Sequence, residues 1–250
     1  MIRISFNILY YHKNVEREKY LTEQMNLYGI NPNWIRKYDR EKLEQVHYDK
    51  IDKDPKSIRK SIERFIPENI IQEFIEQGMN DAEVSLNTKH VESMRTFLDQ
   101  YTEKDYYVVL EDDAILFSNF KEKFLSCIQA MSSGFDLFHF DLGNATPKVS
   151  PDELEWMMNQ RDFVKIENNQ LPAKFQLGTA GFCMSYRWCK RVVDYYDKNG
   201  FCVPSDWQFS SIFFDDSNLR CYVSVPWLIK QGSFDTYGSS VRDRDNGVFK

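Results

Sequence analysis

The chain has 250 residues, a formal net charge of -6, and 42% hydrophobic and 15% aromatic side chains. That length suits one large α/β domain or two small ones with a sizeable core. The negative balance argues against a nucleic-acid binder and against a basic membrane-surface protein. Five cysteines (Cys127, Cys183, Cys189, Cys202, Cys221) form no C-x-x-C pair, and none of the four histidines stands near a cysteine at zinc-ligand spacing. Zinc is therefore not expected, and free thiols in a reducing compartment are. The opening segment is too short and interrupted for a signal or membrane span, and nothing elsewhere approaches about 18 apolar residues. The expectation is a soluble, cytoplasmic protein, with peripheral contact to a membrane left open.

Residues 2–10 read as a first strand. Asn14 caps a helix through about Tyr28, with Leu21, Met25 and Tyr28 on one stripe, and Gly29 ends it as a left-handed cap. Trp34 to Tyr38 reads as a second strand, giving a β-α-β opening. The charged block 39–80, broken at Pro55, reads as peripheral helices with a mobile connector. A helix from about Glu83 to Tyr101 places Val91, Met94 and Leu98 on its core side. A strand over Asp105–Leu110, a helix from Asn119 to Met131 and a strand from Phe135 to Asp141 follow. Residues 144–172, rich in Pro, Asn and Gln, read as a surface excursion with one short helix around Trp156. Gly178 to Ser185 runs from a loosened loop into a strand, and helices near 187–198 and 205–214 precede a strand at 220–225. The alternation implies a single α/β domain with a mostly parallel sheet flanked by helices. On this reading 39–80 and 144–172 are peripheral insertions.

The chemistry concentrates where Tyr106-Tyr107-Val108-Val109-Leu110 delivers Glu111-Asp112-Asp113. A solvated turn is the ordinary fate of an acidic triplet, but this one follows what looks like a buried central strand. Three adjacent anions cannot be buried without positive charge. At the carboxyl end of an α/β strand, where ligands bind, a hard divalent cation is the natural neutraliser. Alternation lets Glu111 and Asp113 face one side and Asp112 the other. Asp113 is the best direct metal ligand and Glu111 the second, while a neighbour takes a ribose or sugar hydroxyl. Receiver domains carry their acidic pair near the chain start, and Asp-x-Asp phosphatases need Asp where Glu111 stands; neither pattern fits.

Three further residues are candidates. Lys89 is positioned to reach a phosphate, against the commoner fate of a solvated lysine. His90 aligns with Met94 and Phe97, so a core-edge histidine competes with a donor-binding one. Asp206 opens a predicted helix, where acids are favoured by the dipole; the sharper reading is a base that removes a proton from an acceptor hydroxyl, with Trp207 packing on a sugar face.

In order, these segments resemble family-25 glycosyltransferases, the group containing lipooligosaccharide β-galactosyltransferases and collagen galactosyltransferases. Glu16-Arg17-Glu18 is similar to the family's arginine-bearing helix. The stretch from Glu83 to His90 is similar to its Glu…Leu-Ser-His segment, with Lys89 where Ser is usual. Leu110-Glu111-Asp112-Asp113 matches its acidic signature. Gly178 to Ser185, Asp206 and Pro226…Gln231…Ser240 echo the later motifs. The resemblance implies a GT-A fold, a UDP-sugar donor, inversion at the anomeric carbon, and Mn²⁺ (or Mg²⁺) between the acidic motif and the diphosphate. Lys89, His90, Glu111 and Asp112 then serve the donor. The first strand and the aromatics near Trp34–Asp39 frame the uridine. The acceptor is a hydroxyl on a glycan, glycolipid or protein. Two rivals stay open: another nucleotide-diphosphate-using transferase, disfavoured because residues 8–20 lack glycine, and a catalytically silent carbohydrate-binding or scaffolding relative.

Overall fold

The computed structural model describes residues 2–63, 66–131, 134–140, 163–166, 179–215, 218–224 and 227–232. The chain opens with β1 (Ile4–Leu9), α1 (Val15–Leu27) and β2 (Asn33–Ile35), the expected β-α-β unit. Leu21, Met25 and Tyr28 are buried, and Gly29 turns the chain with φ +62. Asn14 precedes the helix without a side-chain capping bond; its amide is drawn away to another partner, described below.

A 3₁₀ turn (Arg40–Lys42), α2 (Gln45–Tyr48), α3 (Pro55–Ile62) and α4 (Glu68–Gln77) lead to α5 (Asp81–Gln100). Asn80 and Glu83 close a capping box at the start of α5, each side chain accepting from the other's backbone N–H at 3.0 and 2.8 Å. The helix therefore begins two residues before Glu83. Then come β3 (Tyr106–Glu111), β4 (Ala114–Leu116), α6 (Phe120–Ala130), β5 (Leu137–His139), β6 (Phe163–Ile166) and β7 (Gly181–Ser185). The last described elements are α7 (Tyr186–Asn199), α8 (Ser205–Phe214), β8 (Cys221–Ser224) and β9 (Ile229–Gln231).

Seven strands form one sheet in the order β2-β1-β3-β7-β5-β8-β6. β2, β1, β3, β5 and β8 run one way, and β7 and β6 run the other. This mostly parallel sheet flanked by helices is compatible with a Rossmann-like fold. The antiparallel β7 beside β3 departs from the simple alternation expected. Its sequence, Gly-Phe-Cys-Met-Ser, is nearly all buried, and such a run carries no signal of direction.

The strand pleat sorts β3 between two cores. Tyr107 and Val109 join Val91, Met94 and Phe97 of α5, with Trp188 of α7 and Phe209 of α8. Val108 and Leu110 join Leu21 and Met25 of α1, with Phe120 and Phe124 of α6. Helices α5, α7 and α8 thus cover one face of the sheet, and α1 and α6 the other.

Two expectations need correction. Residues 39–80 are not simply peripheral: Ile58, Ile62, Ile71 and Phe74 of α3 and α4 build a third core with Cys202, Val203 and Trp207. The supposed surface excursion 144–172 supplies a sheet strand, since Phe163–Ile166 pairs antiparallel with β8. Trp156, Gly178, Pro226 and Ser240 lie outside the described residues.

A second, two-stranded sheet pairs β4 with β9 and sets Gln231 opposite Ala114. Gly181 makes room for it. A Cβ there would lie 2.5 Å from Ile229 Cδ1, 2.9 Å from Leu110 Cδ2 and 3.1 Å from Phe140 Cδ2. Because overpacking a filled core costs about 1–3 kcal/mol, Gly181→Ala is expected to lower the unfolding free energy by an amount in that range. Equilibrium denaturation measures it.

Candidate functional site

The pleat that sorts the two cores also sorts the acidic triplet. Glu111 continues the side of Tyr107 and Val109 and points toward α5; Asp112 continues the side of Val108 and Leu110 and points toward α1. Asp112 is buried, and both its oxygens are engaged. Arg17 Nη1 donates to Oδ1 at 2.7 Å, while the Tyr11 backbone N–H and Asn14 Nδ2 donate to Oδ2 at 2.9 and 2.8 Å. This is where the Asn14 amide goes. Arg17 stands four residues before Leu21 on the buried stripe of α1, so an arginine on an apolar stripe was the sequence signal for a buried anion. Expected to bind a donor hydroxyl, Asp112 instead anchors the loop after β1.

Glu111 meets a different environment. His90 is fully buried, its ring stacked on Phe182 at 5.9 Å and edge-on to Phe209 at 5.2 Å. Its Nε2 lies 3.6 Å from Glu111 Oε1, too far for a hydrogen bond. Burial pushes the His90 pKa down to about 3, so the ring is neutral. Burial likewise pushes the Glu111 carboxyl up to about 7, opposed by a Thr179 hydrogen bond, reinforced by Asp112 and relieved in part by Arg17. Glu111 Oε1 is buried without a hydrogen-bond partner. Of the His90 readings, the buried core histidine describes its packing, and its ring faces the carboxylate of interest.

Asp113 is also buried. It follows Glu111 by two residues, in the turn into β4, and its carbonyl accepts from Gly232 N–H at 2.8 Å. The β4–β9 ribbon thereby brings Lys230 and Gln231 beside the acidic end. Asp206 is the second residue of α8, half-buried, its Oδ1 accepting from the Trp207 backbone N–H at 2.9 Å. One turn later Phe209 packs on His90 and Phe182. A continuous chain of contacts thus links the first turn of α8 to Glu111. Trp207 does not stand open as a sugar platform: its ring packs edge-on against Phe74 at 5.4 Å.

Lys89 is neither solvated nor directed at an open phosphate position. Its ammonium is buried and donates to the Tyr10 carbonyl at 2.6 Å and to Asp39 Oδ1 at 2.5 Å. Burial lowers its pKa and Asp39 counteracts this. The other Asp39 oxygen is 2.8 Å from His12 Nδ1. Asp39 and His12 were not singled out in the sequence, because the partners are separated by 27 and 50 positions and carry no shared local pattern. Trp34 and Tyr10, expected near a uridine, pack edge-on at 5.5 Å with the Arg36 guanidinium over both rings.

Among the described residues no group of three or more His, Cys, Asp or Glu side chains is arranged to hold a metal. A hard cation bound through one or two carboxylates takes its remaining ligands from water and substrate phosphates. Glu111 fits such a role in part: burial raises its pKa against only partial relief from Arg17, and its Oε1, turned toward His90, lacks a hydrogen-bond partner, leaving the second oxygen for an ion. Also among the described residues, no helix is long and apolar enough to cross a membrane.

No family model matches the chain, and no curated protein matches it. The ordered motifs and the geometry above therefore carry the functional argument.

The raised Glu111 pKa has a measurable consequence. Between its ordinary value of 4.5 and about 7, the folded chain keeps a proton that the unfolded chain has released. Stability then falls as pH rises through that window, by about 3 kcal/mol in total. Glu111→Gln is expected to abolish this component and to leave the opposite contribution of His90, whose lowered pKa makes stability rise with pH up to its ordinary 6.5. Raising the pH from 5 to 8 should therefore cost the variant less stability than the wild type, or add to it. Urea denaturation of both proteins at the two pH values checks it.

Proposed function

We propose that the chain is a metal-dependent inverting glycosyltransferase that moves a hexose, galactose or glucose, from a UDP-sugar to a hydroxyl acceptor, on a GT-A-type fold. The observation that supports this most directly is Glu111: a half-buried strand-end carboxylate with a buried, unpartnered Oε1 and a raised pKa, one residue from an acid already neutralised by arginine. Glu111 and Asp113 would hold Mn²⁺ or Mg²⁺. Such an ion supplies positive charge to the departing diphosphate, where negative charge grows in the transition state.

The chain's own residues divide the remaining work. Asp112, with Arg17, Tyr11 and Asn14, fixes the loop after β1 against the acidic turn. His90, packed between Phe182 and Phe209, backs the Glu111 carboxylate and keeps water from that side. Asp206, oriented by the Trp207 N–H, takes the proton from the acceptor hydroxyl on the face opposite the diphosphate.

UDP release from a panel of UDP-sugars, with and without Mn²⁺, tests the reading. Mn²⁺-dependent release from one hexose donor is expected; no release from any donor contradicts it. Asp113→Asn is expected to lose Mn²⁺-linked UDP binding in calorimetry while its circular dichroism stays unchanged, and unaltered affinity removes Asp113 from the site. Asp206→Asn should lower kcat about a hundredfold or more, the usual span for a lost general base, with UDP and Mn²⁺ binding nearly intact. Wild-type turnover, or lost donor binding, shows that Asp206 is not the base.

A further inference from the structure

The chain order around β1 defines a topological switch point. β1 connects through α1 to β2 on one side, and the chain then returns to β3 on the other. The two connections lie on opposite faces, α1 on one and α5 on the other. In open α/β sheets such a reversal leaves a crevice outside the carboxyl end of the strand, and nucleotides bind in such crevices.

The loop that borders this crevice is residues 10–14, and it is held from both sides. Asp112 takes the Tyr11 N–H and the Asn14 amide, while Lys89 takes the Tyr10 carbonyl. His12 sits between these anchors. Its Nδ1 is 2.8 Å from Asp39 Oδ2, and Asp39 is fully buried with Lys89 on its other oxygen. The His12 side chain itself is 42% exposed, and the Tyr11 ring meets it edge-on at 5.1 Å.

The chemistry of that trio fixes what His12 offers. A carboxylate in an ion pair can only accept, so Nδ1 carries the hydrogen it shares with Asp39. The other ring nitrogen, Nε2, is then left to a ligand, its orientation set by a buried carboxylate. A ribose hydroxyl, which both donates and accepts, is complementary to that nitrogen.

We propose that His12, oriented by Asp39 and Lys89 at the β1 switch point, recognises the ribose of a nucleoside diphosphate through a hydrogen bond between its Nε2 and a ribose hydroxyl. This rests on the donor reading above and assigns the nucleoside half of that site. It also gives Lys89 a role consistent with its burial: a positioning residue that fixes Asp39 and the loop, with no contact to phosphate.

Calorimetry with Mn²⁺ on the wild-type chain and on His12→Ala tests it, using UDP, 2′-deoxy-UDP, 3′-deoxy-UDP and pyrophosphate. Circular dichroism of the variant checks that Asp39, which keeps Lys89 on its other oxygen, still holds the fold without His12. The variant is expected to bind UDP about tenfold more weakly, the scale of one hydrogen bond, and to bind pyrophosphate as wild type does. On the one deoxynucleotide that lacks the contacted hydroxyl, wild type and variant should bind equally. Equal UDP affinity for the two proteins overturns the inference and leaves the donor reading standing. A tenfold loss that persists on both deoxynucleotides also overturns it. A wild-type chain that binds no nucleoside diphosphate overturns it together with the donor reading.

Discussion

The buried Asp112 carboxylate is the constraint from which the rest of the site follows. It accepts from an arginine, a backbone N–H and a side-chain amide, all supplied by residues 11–17. Breaking such a buried pair by removing one partner leaves an uncompensated charge and costs about 3–5 kcal/mol, so Asp112 has one orientation. The strand pleat then sends Glu111 to the other face, away from Arg17 and into an apolar wall built by His90, Phe182 and Phe209. One carboxylate is satisfied by the protein and its neighbour is left short of positive charge. A cation-binding site needs the second kind.

Helix α5 completes the arrangement from the opposite face. Its exposure is low almost all round, and its buried side chains include Ser85, Asn87, Thr88, Lys89 and His90 as well as Val91, Met94 and Phe97. Buried polar groups demand partners, and these reach far along the chain: Asn87 to the Val203 carbonyl, Lys89 to Asp39 and Tyr10, Ser85 to the Tyr38 carbonyl. Each bond fixes a different loop relative to the helix. The loop before α8, the turn after β2 and the loop after β1 all take their positions from one helix.

The sequence made much of this legible, and where it did not the reason is physical. Helices α1, α5 and α6 and strands β1 and β3 are long, with clear periodicity, and their ends fall within a few residues of expectation. Glu111, Asp112 and Asp113 were readable as a strand-end triplet, and their division between two faces follows from alternation. What alternation does not encode is the partner. That Asp112 would be claimed by Arg17 depends on the docking of α1, and that Lys89 would be buried depends on Asp39, fifty positions away. The β4–β9 ribbon went unread because its strands are three residues each, too short to show a period. The direction of β7 went unread because a strand buried on both faces reads alike in either sense.

The claim at the centre of this account is that Glu111 and Asp113 hold a divalent cation against a nucleoside diphosphate. Anomalous diffraction from crystals grown with Mn²⁺ and UDP addresses it directly. The account predicts a manganese peak within about 2–2.5 Å of a carboxylate oxygen of Glu111 or Asp113 and of a diphosphate oxygen. An ordered UDP with no manganese at the end of β3, or manganese bound only elsewhere, would contradict it.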